Sequence, residues 1–351
     1  MIMALTRSSS TSPKKALGLA TFLIAIMSSF QSQADDVENF YRGKTIDLVI
    51  GFTPGGGYDL YARLVAQFMG DHIPGKPRII SRTMAGAGSR TAAGYLANIA
   101  PKDGTVMAIA SQSLALEQAL GSKQQFDMTK FLYVGNPVQE NNASVTWSAS
   151  GIGSIEDAKR REVTVGSTGD DPSSQYPKVM NALLGTKFRI IFGYQGGNDI
   201  DLAMERGEVD GRGSSAVTEW KSNHADWLQQ KKINVLVQIG LTRAAFLPDV
   251  PLLVQLAQND RDRAVLRLLS APIALGRPIF TTPDVPSDRV QALRMAFIAT
   301  MKDPAFLAAA RQQNFDLSPV SGEDMQSIVG EITSSSPEVT GQLKAILDSS
   351  N

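Results

Sequence analysis

The sequence predicts an α/β protein built on parallel sheets. Two observations carry that expectation. Short β-rich apolar runs, suited to strands buried on both faces, are each followed by a loop of small residues and then by apolar residues at helical spacing. That unit recurs along the chain, and strands alternating with helices form parallel sheets. The length, 351 residues, is enough for two domains with cores of their own.

The first unit is the run Thr45–Phe52, a loop holding Gly55, Gly56 and Gly57, and a helix marked by Leu60, Leu64, Val65 and Phe68. The second is a strand over Arg78–Thr83, a loop over Met84–Arg90 and a helix over 91–100. A turn at Pro101–Gly104 leads into a further strand over 105–111. In the middle, a strand over Glu162–Ser167 runs into Thr168, Gly169, Asp170 and Asp171, with a helix over Gln175–Leu184. Next come a strand over Lys187–Tyr194, the loop Gln195–Asp199, a helix over 199–207 and a strand over Ile233–Gly240. The last part reads as helices, with Ser287 as a cap, Asp303 before Pro304 at a helix start, and Ser321 paired with Asp324 as a capping box. One more short helix follows in the tail, and no fixed-period repeat runs through the chain.

Composition removes several function classes. Lys plus Arg and Asp plus Glu both number 34, so nothing points to a nucleic acid partner. There is no cysteine, hence no disulfide, no lipidated cysteine, no thiol nucleophile and no thiolate metal site. The two histidines, His72 and His224, read as surface residues, and no metal site or catalytic constellation is expected. A dinucleotide fingerprint would need glycine where Leu60 and Thr91 stand, and neither a phosphate loop nor a nucleophile elbow occurs, so no cofactor is expected.

The glycine loops suggest an anion site. A helix that starts on a glycine turn exposes unpaired backbone N–H groups, and its dipole adds partial positive charge there. Lacking a Cβ, glycine lets a ligand oxygen approach the backbone, which gives a reason for Gly55, Gly56 and Gly57 together. A tight turn that binds nothing is the plainer reading of any one such loop. Three more, Gly86–Ser89, Ser167–Gly169 and Gly196–Asn198, favour binding, because loops at the carboxyl ends of strands share one rim. Two loops from each domain would face a common cleft. Asp59 reads first as a residue that steadies the helix start, and second as an acceptor for a ligand amine or hydroxyl. Arg90 is either a bidentate carboxylate partner or a solvated arginine. Tyr194 either donates into the cleft or packs its ring.

With these residues in view, the stretch from Thr45 to Met69 resembles the first strand, loop and helix of the substrate-binding proteins of tripartite tricarboxylate transporters, the Bug-type periplasmic receptors. The segments VTVGSTG, FGYQGGNDIDLAMERGEVDG and FLPDVPLL follow in that family's order. The resemblance implies a type II-like periplasmic binding protein fold of two α/β domains with a ligand cleft and two crossovers. It implies domain 1 over 35–139 and 250–351, domain 2 over 140–249, and a monomer in the periplasm that binds a small organic carboxylate and meets the membrane subunits of a transporter. Carried over by position, the contacts are Thr53, Gly55, Gly56, Gly57 and Asp59; Gly86, Gly88, Ser89 and Arg90; Ser167, Thr168 and Gly169; and Tyr194, Gly196, Gly197 and Asn198. Two departures stand out. Ser89 and Arg90 replace the glycine and asparagine usual in the family, and Asp170 and Asp171 follow Gly169, so a monocarboxylate, an amino acid or an aromatic acid fits at least as well as a dicarboxylate. A secreted α/β enzyme acting on a small organic acid, and a periplasmic ligand sensor, are the alternative functions.

Residues 1–34 read as a signal peptide: Lys14 and Lys15 precede the apolar stretch Ala16–Phe30, and Ser32 and Ala34 sit before the cut. A single membrane anchor is the other reading, but the stretch is short for a span. Expressed with an export system, the protein is expected to lose residues 1–34 and to stay soluble without detergent. N-terminal sequencing that finds Met1 on membrane-bound protein contradicts this.

Overall fold

The computed structural model describes residues 35–169, 171–194, 196–217, 220 and 224–349. The expected signal peptide lies outside them. Eleven strands are named in these residues: β1 (Thr45–Ile50), β2 (Arg78–Thr83), β3 (Val106–Ile109), β4 (Leu132–Asn136), β5 (Asn142–Trp147), β6 (Val163–Ser167), β7 (Phe188–Phe192), β8 (Gly211–Ala216), β9 (Ile233–Ile239), β10 (Ile279–Thr281) and β11 (Val320–Ser321). They form two sheets, ordered β11-β4-β10-β3-β1-β2 and β7-β6-β8-β5-β9. The chain crosses from the first sheet to the second between β4 and β5, and returns between β9 and β10.

The sheets are mixed rather than wholly parallel. β1 pairs in parallel with β2 and β3, and β6 with β7 and β8. β5 is antiparallel to β8 and β9, and β10 is antiparallel to β3 and β4. β5 and β10 are the strands by which the chain enters each sheet from the other. β5 follows β4 with no helix between, and β10 follows the helices Asp260–Ser270 and Pro272–Leu275, but neither strand is joined to a sheet neighbour by the strand–helix–strand unit that makes neighbours parallel.

The strands legible in the sequence are the apolar ones, antiparallel β9 included. Apolar β1 and β3 are buried along nearly their whole length. β8, with the sequence GRGSSA, carries no apolar pattern, yet it lies between β6 and β5. Its glycines are dictated by space: a Cβ on Gly211 would run into Val145 O, and one on Gly213 into the Pro177 ring. Close packing on both sides thus replaces hydrophobicity as the reason for the residue type.

Helix starts follow local chemistry in three of four cases. Asp303 Oδ1 accepts from Ala305 N at 2.7 Å, and Ser321 Oγ accepts from Asp324 N at 3.1 Å. Ser336 caps the tail helix Pro337–Asp348. Ser287, by contrast, is the first residue of the helix Ser287–Thr300, whose cap position is Pro286 with no side-chain bond. In the helix Gly57–Met69 the buried stripe is Tyr61, Ala62, Leu64, Val65 and Met69; Leu60 is exposed and Phe68 only half-buried. The helix over 35–41 is tied to the first sheet by Tyr41, fully buried, whose hydroxyl donates to Gly104 O at 3.1 Å. Among the described residues no helix is long and apolar enough to cross a membrane.

Candidate functional site

The four small-residue loops leave the carboxyl ends of β1, β2, β6 and β7, all members of parallel pairs. The first loop, with Thr53 and Gly55–Gly57 exposed, is pinned by Asp59. Gly55 has φ +88°, a conformation that needs glycine, and its N–H donates to Asp59 Oδ2 at 3.0 Å. The other carboxylate oxygen accepts from Arg63 Nε at 2.8 Å. The residue at the helix cap, Gly56, has no side chain, so Asp59 reaches back from the third helical position in its place. Asp59 is only 2% exposed, and the hydrogen bond from Arg63 holds its carboxyl below the usual range, against the opposing effect of burial. Both oxygens are thereby occupied, as expected of a residue that steadies the helix start.

Two of the glycines are explained by arginine rather than by ligand. A Cβ on Gly57 would lie 2.8 Å from Arg277 Nη2, and a Cβ on Gly197 would collide with the Arg212 guanidinium. Each is the first residue of its helix, Gly57–Met69 and Gly197–Glu205. Each arginine is paired: Arg277 Nη2 with Glu140 Oε2 at 2.9 Å, and Arg212 Nη1 with Asp201 Oδ1 at 3.2 Å. Gly56 and Gly196 differ, since a Cβ on Gly56 would meet nothing within 4 Å and one on Gly196 only Asp199 Oδ2 at 4.0 Å. These two join open space to a backbone without positive φ; Gly55, Gly88 and Gly169 also meet nothing within 4 Å, but at positive φ. Neither arginine was singled out from the sequence. The one available signal is that Arg212 stands between two glycines in a strand.

The second loop is strained. Gly86, Ala87, Gly88 and Ser89 all have positive φ. Ser89 is buried, not exposed: its Oγ donates to Gly51 O at 3.0 Å, joining the second loop to the base of the first. Gly86 and Gly88 are exposed, and Arg90 is half-exposed with Nη2 2.6 Å from Glu117 Oε2.

In the third loop, Ser167 is buried and its Oγ lies 2.8 Å from Ser173 Oγ. Thr168 N donates to Ser173 Oγ at 3.1 Å, and Ser167 Oγ donates to Gly169 O at 3.0 Å. Asp171 caps the helix Pro172–Leu184 by accepting from Ser173 N at 2.8 Å. This helix starts three residues earlier than expected. The Asp-Pro pair at 171–172 is the same signal as at 303–304 and could have located it. Asp171 is thus engaged as a cap, and Asp170 lies outside the described residues.

The fourth loop holds Tyr194, half-buried, its ring against Gly166 where a Cβ would come within 3.1 Å. Burial pushes its hydroxyl pKa up. Asn198 is exposed and lines a cavity of about 280 Å³ with Asp201, Leu202, Glu205, His224 and Trp227. His224 is more than a surface residue: Nε2 is 3.3 Å from Asp201 Oδ2, and its ring is 4.1 Å from that of Trp227. His72 pairs with Asp303 at 2.9 Å. No group of metal-binding side chains occurs among the described residues. The contacts therefore join the loops in two pairs, first with second through Ser89 and Gly51, and third with fourth through Gly166 and Tyr194.

Residues 61–340 match the family described as the tripartite tricarboxylate transporter family receptor, TctC. Among solved structures, a TctC solute binding protein from Polaromonas is similar over 88% of this chain and 99% of its own, with TM-score 0.67 and 16% identity. A protein of R. palustris with adipate has TM-score 0.60 and 19% identity over 86% of this chain and 98% of its own. MatC from Rhodopseudomonas palustris with bound malate has TM-score 0.58 and 19% identity over 87% of this chain and 99% of its own. These likenesses establish the fold, the two-domain α/β architecture of periplasmic binding proteins with two crossovers. No curated protein sequence matches the chain.

Asp59 gives the site a pH dependence of definite sign. Its folded pKa is depressed, so its stabilising contribution is present above the unfolded carboxylate value and is lost as pH falls through the folded value. Asp59→Asn is expected to cost about 1 kcal/mol at neutral pH, as loss of a helix cap does, and to narrow the gap to the parent as pH falls below about 4. Urea unfolding across pH measures this; a gap that stays constant into acid contradicts it.

Proposed function

The chain belongs to the tripartite tricarboxylate transporter receptor family, and from that we propose that it is a periplasmic solute receptor that closes on a small organic carboxylate. It delivers that ligand to the membrane subunits of the transporter as a monomer and performs no chemistry of its own. The observation that carries this reading is the open space over Gly56 and Gly196. Each stands at the start of a helix at the carboxyl end of a parallel strand, one in each sheet. There, backbone N–H groups and the helix dipole favour an anion, and among the described residues no side chain crowds the Cβ position of either glycine. Malate and adipate, bound by two proteins of the same fold, are small carboxylates of the kind that such donors recognise.

Domain 1 spans 35–139 and 250–351 and domain 2 spans 140–249, with the ligand between them. Thr53, Gly55 and Gly56 with Gly86 and Gly88 face it from one side. Thr168, Gly169, Tyr194, Gly196 and Asn198 face it from the other. Gly57, Gly197, Asp59, Ser89 and Ser167 shape the loops from behind. Occupation of Asp171 as a cap relieves part of the like-charge objection to a second ligand carboxylate. Closure about the crossovers brings both loop pairs onto the ligand and expels water.

A thermal-shift panel of mono- and dicarboxylates, nucleotides and neutral sugars tests the reading, with Gly56→Val and Gly196→Val as variants. Both glycines have extended backbone that valine adopts without strain (φ −83° at Gly56, −164° at Gly196), so the unliganded melting curves should match the parent. An organic acid at a hundredfold excess over its dissociation constant should add about 2.7 kcal/mol to the parent, and each variant should lose that gain. Stabilisation by sugars alone, or an undiminished shift in a folded Gly196→Val protein, contradicts it.

A further inference from the structure

We propose that Arg277 is a positioning residue for the first glycine loop, and that Glu140 holds it there so that the loop moves with both crossovers. The proposal rests on the reading of that loop as a ligand-binding element. Arg277 lies in the return crossover, just before β10, and Glu140 lies in the outward crossover, between β4 and β5. Their side chains are only 17% and 8% exposed. The pair therefore ties together the two segments through which any hinge motion must pass.

The guanidinium has a second contact, against Gly57, where only the missing Cβ leaves it room. Its centre lies 4.7 Å from the Tyr61 ring and 5.6 Å from the Tyr58 ring. Both tyrosines belong to the helix that the loop opens, and Tyr58 Oη donates to Gly276 O at 3.2 Å. The backbone is fixed as closely. Arg277 N donates to Asn136 Oδ1 at 2.9 Å, and that atom also accepts from Val138 N at 3.0 Å in the other crossover. Gln139 Nε2 donates to Ala274 O at 3.2 Å. Arg277 thus touches three things at once: the first loop, the outward crossover and the return crossover.

A purely stabilising role accounts poorly for this arrangement. Buried ion pairs often add nothing over apolar residues of the same volume. The Nε of Arg277 is buried with no hydrogen-bond partner among the described residues, a cost that a residue selected for stability would avoid. The planar fork is wedged by shape between Gly57 and Glu140, a fit that lysine, a point charge on a flexible stem, cannot reproduce. Opening or closing the crossovers shifts the wedge and with it the loop.

Hydrogen–deuterium exchange on the unliganded mature protein tests this, with Arg277→Lys, Arg277→Met, the double variant Arg277→Met/Glu140→Leu, and Gly57→Ala. The double variant leaves no unpaired buried charge and should melt close to the parent. Its hydrogen-bonded amides at Gly55 and Leu60 should nevertheless exchange at least about tenfold faster, because the wedge is gone. Arg277→Lys should keep the charge and still show the faster exchange. Gly57→Ala keeps both charges but displaces the guanidinium from the loop end, so exchange should rise at 138–141, across the pair. For the acid that most stabilises the parent, the dissociation constant should rise at least about tenfold in the double variant, a 1.4 kcal/mol loss. Parent-like exchange at Gly55 and Leu60 in the double variant, or at 138–141 in Gly57→Ala, overturns the proposal. A parent that binds no organic acid overturns the reading of the site instead, and the exchange data still decide the role of Arg277.

Discussion

At one glycine loop of each sheet a guanidinium is pressed against the first residue of the helix that follows, Arg277 on Gly57 and Arg212 on Gly197. In both, a carboxylate holds the arginine, Glu140 in one and Asp201 in the other. In both, the preceding glycine is left open, Gly56 or Gly196. The arginine requires glycine at the first helical residue, and the helix start leaves the backbone N–H groups of the preceding turn without helical partners. The two halves have solved the same geometric problem with arginines from different parts of the chain, a crossover and the strand β8.

The small residues of the loops therefore divide into three kinds. Gly57, Gly197, Gly51 and Ser89 are internal: the first two accommodate arginine, and Gly51 accommodates the buried Ser89 hydroxyl, whose oxygen would lie 2.6 Å from an added Cβ. Gly55 is a backbone requirement, with positive φ and an N–H given to Asp59. Gly56 and Gly196 alone combine relaxed backbone with open space. A glycine cluster that reads as one feature in the sequence thus serves three separate physical demands.

That division explains what the sequence disclosed and what it withheld. The units around β1, β2, β6 and β7 were legible because apolar strands, glycine turns and helical periodicity all lie within some twenty residues of one another. β5 and β8 were not, because their burial comes from neighbours far along the chain. The capping roles of Asp303 and Ser321 are local and were read correctly, whereas Asp171 was read as a charge at the mouth of a cleft although the proline after it marked a helix start. Arg277 was invisible because its partners, Glu140 and Gly57, stand more than a hundred positions away. Asp59 had two readings in the sequence, and its bonds to Gly55 and Arg63 favour the structural one.

In the proposed function one ligand bridges the loop pairs of the two sheets. A crystal structure of the protein with the organic acid that raises its melting temperature most tests it directly. The expected result is a carboxylate oxygen bonded, directly or through one water, to backbone N–H groups within 53–57, with the same molecule touching residues within 168–169 or 194–198. A ligand seated on one sheet alone, or in the cavity beside Asp201 and Trp227 without reaching the first loop, would contradict it.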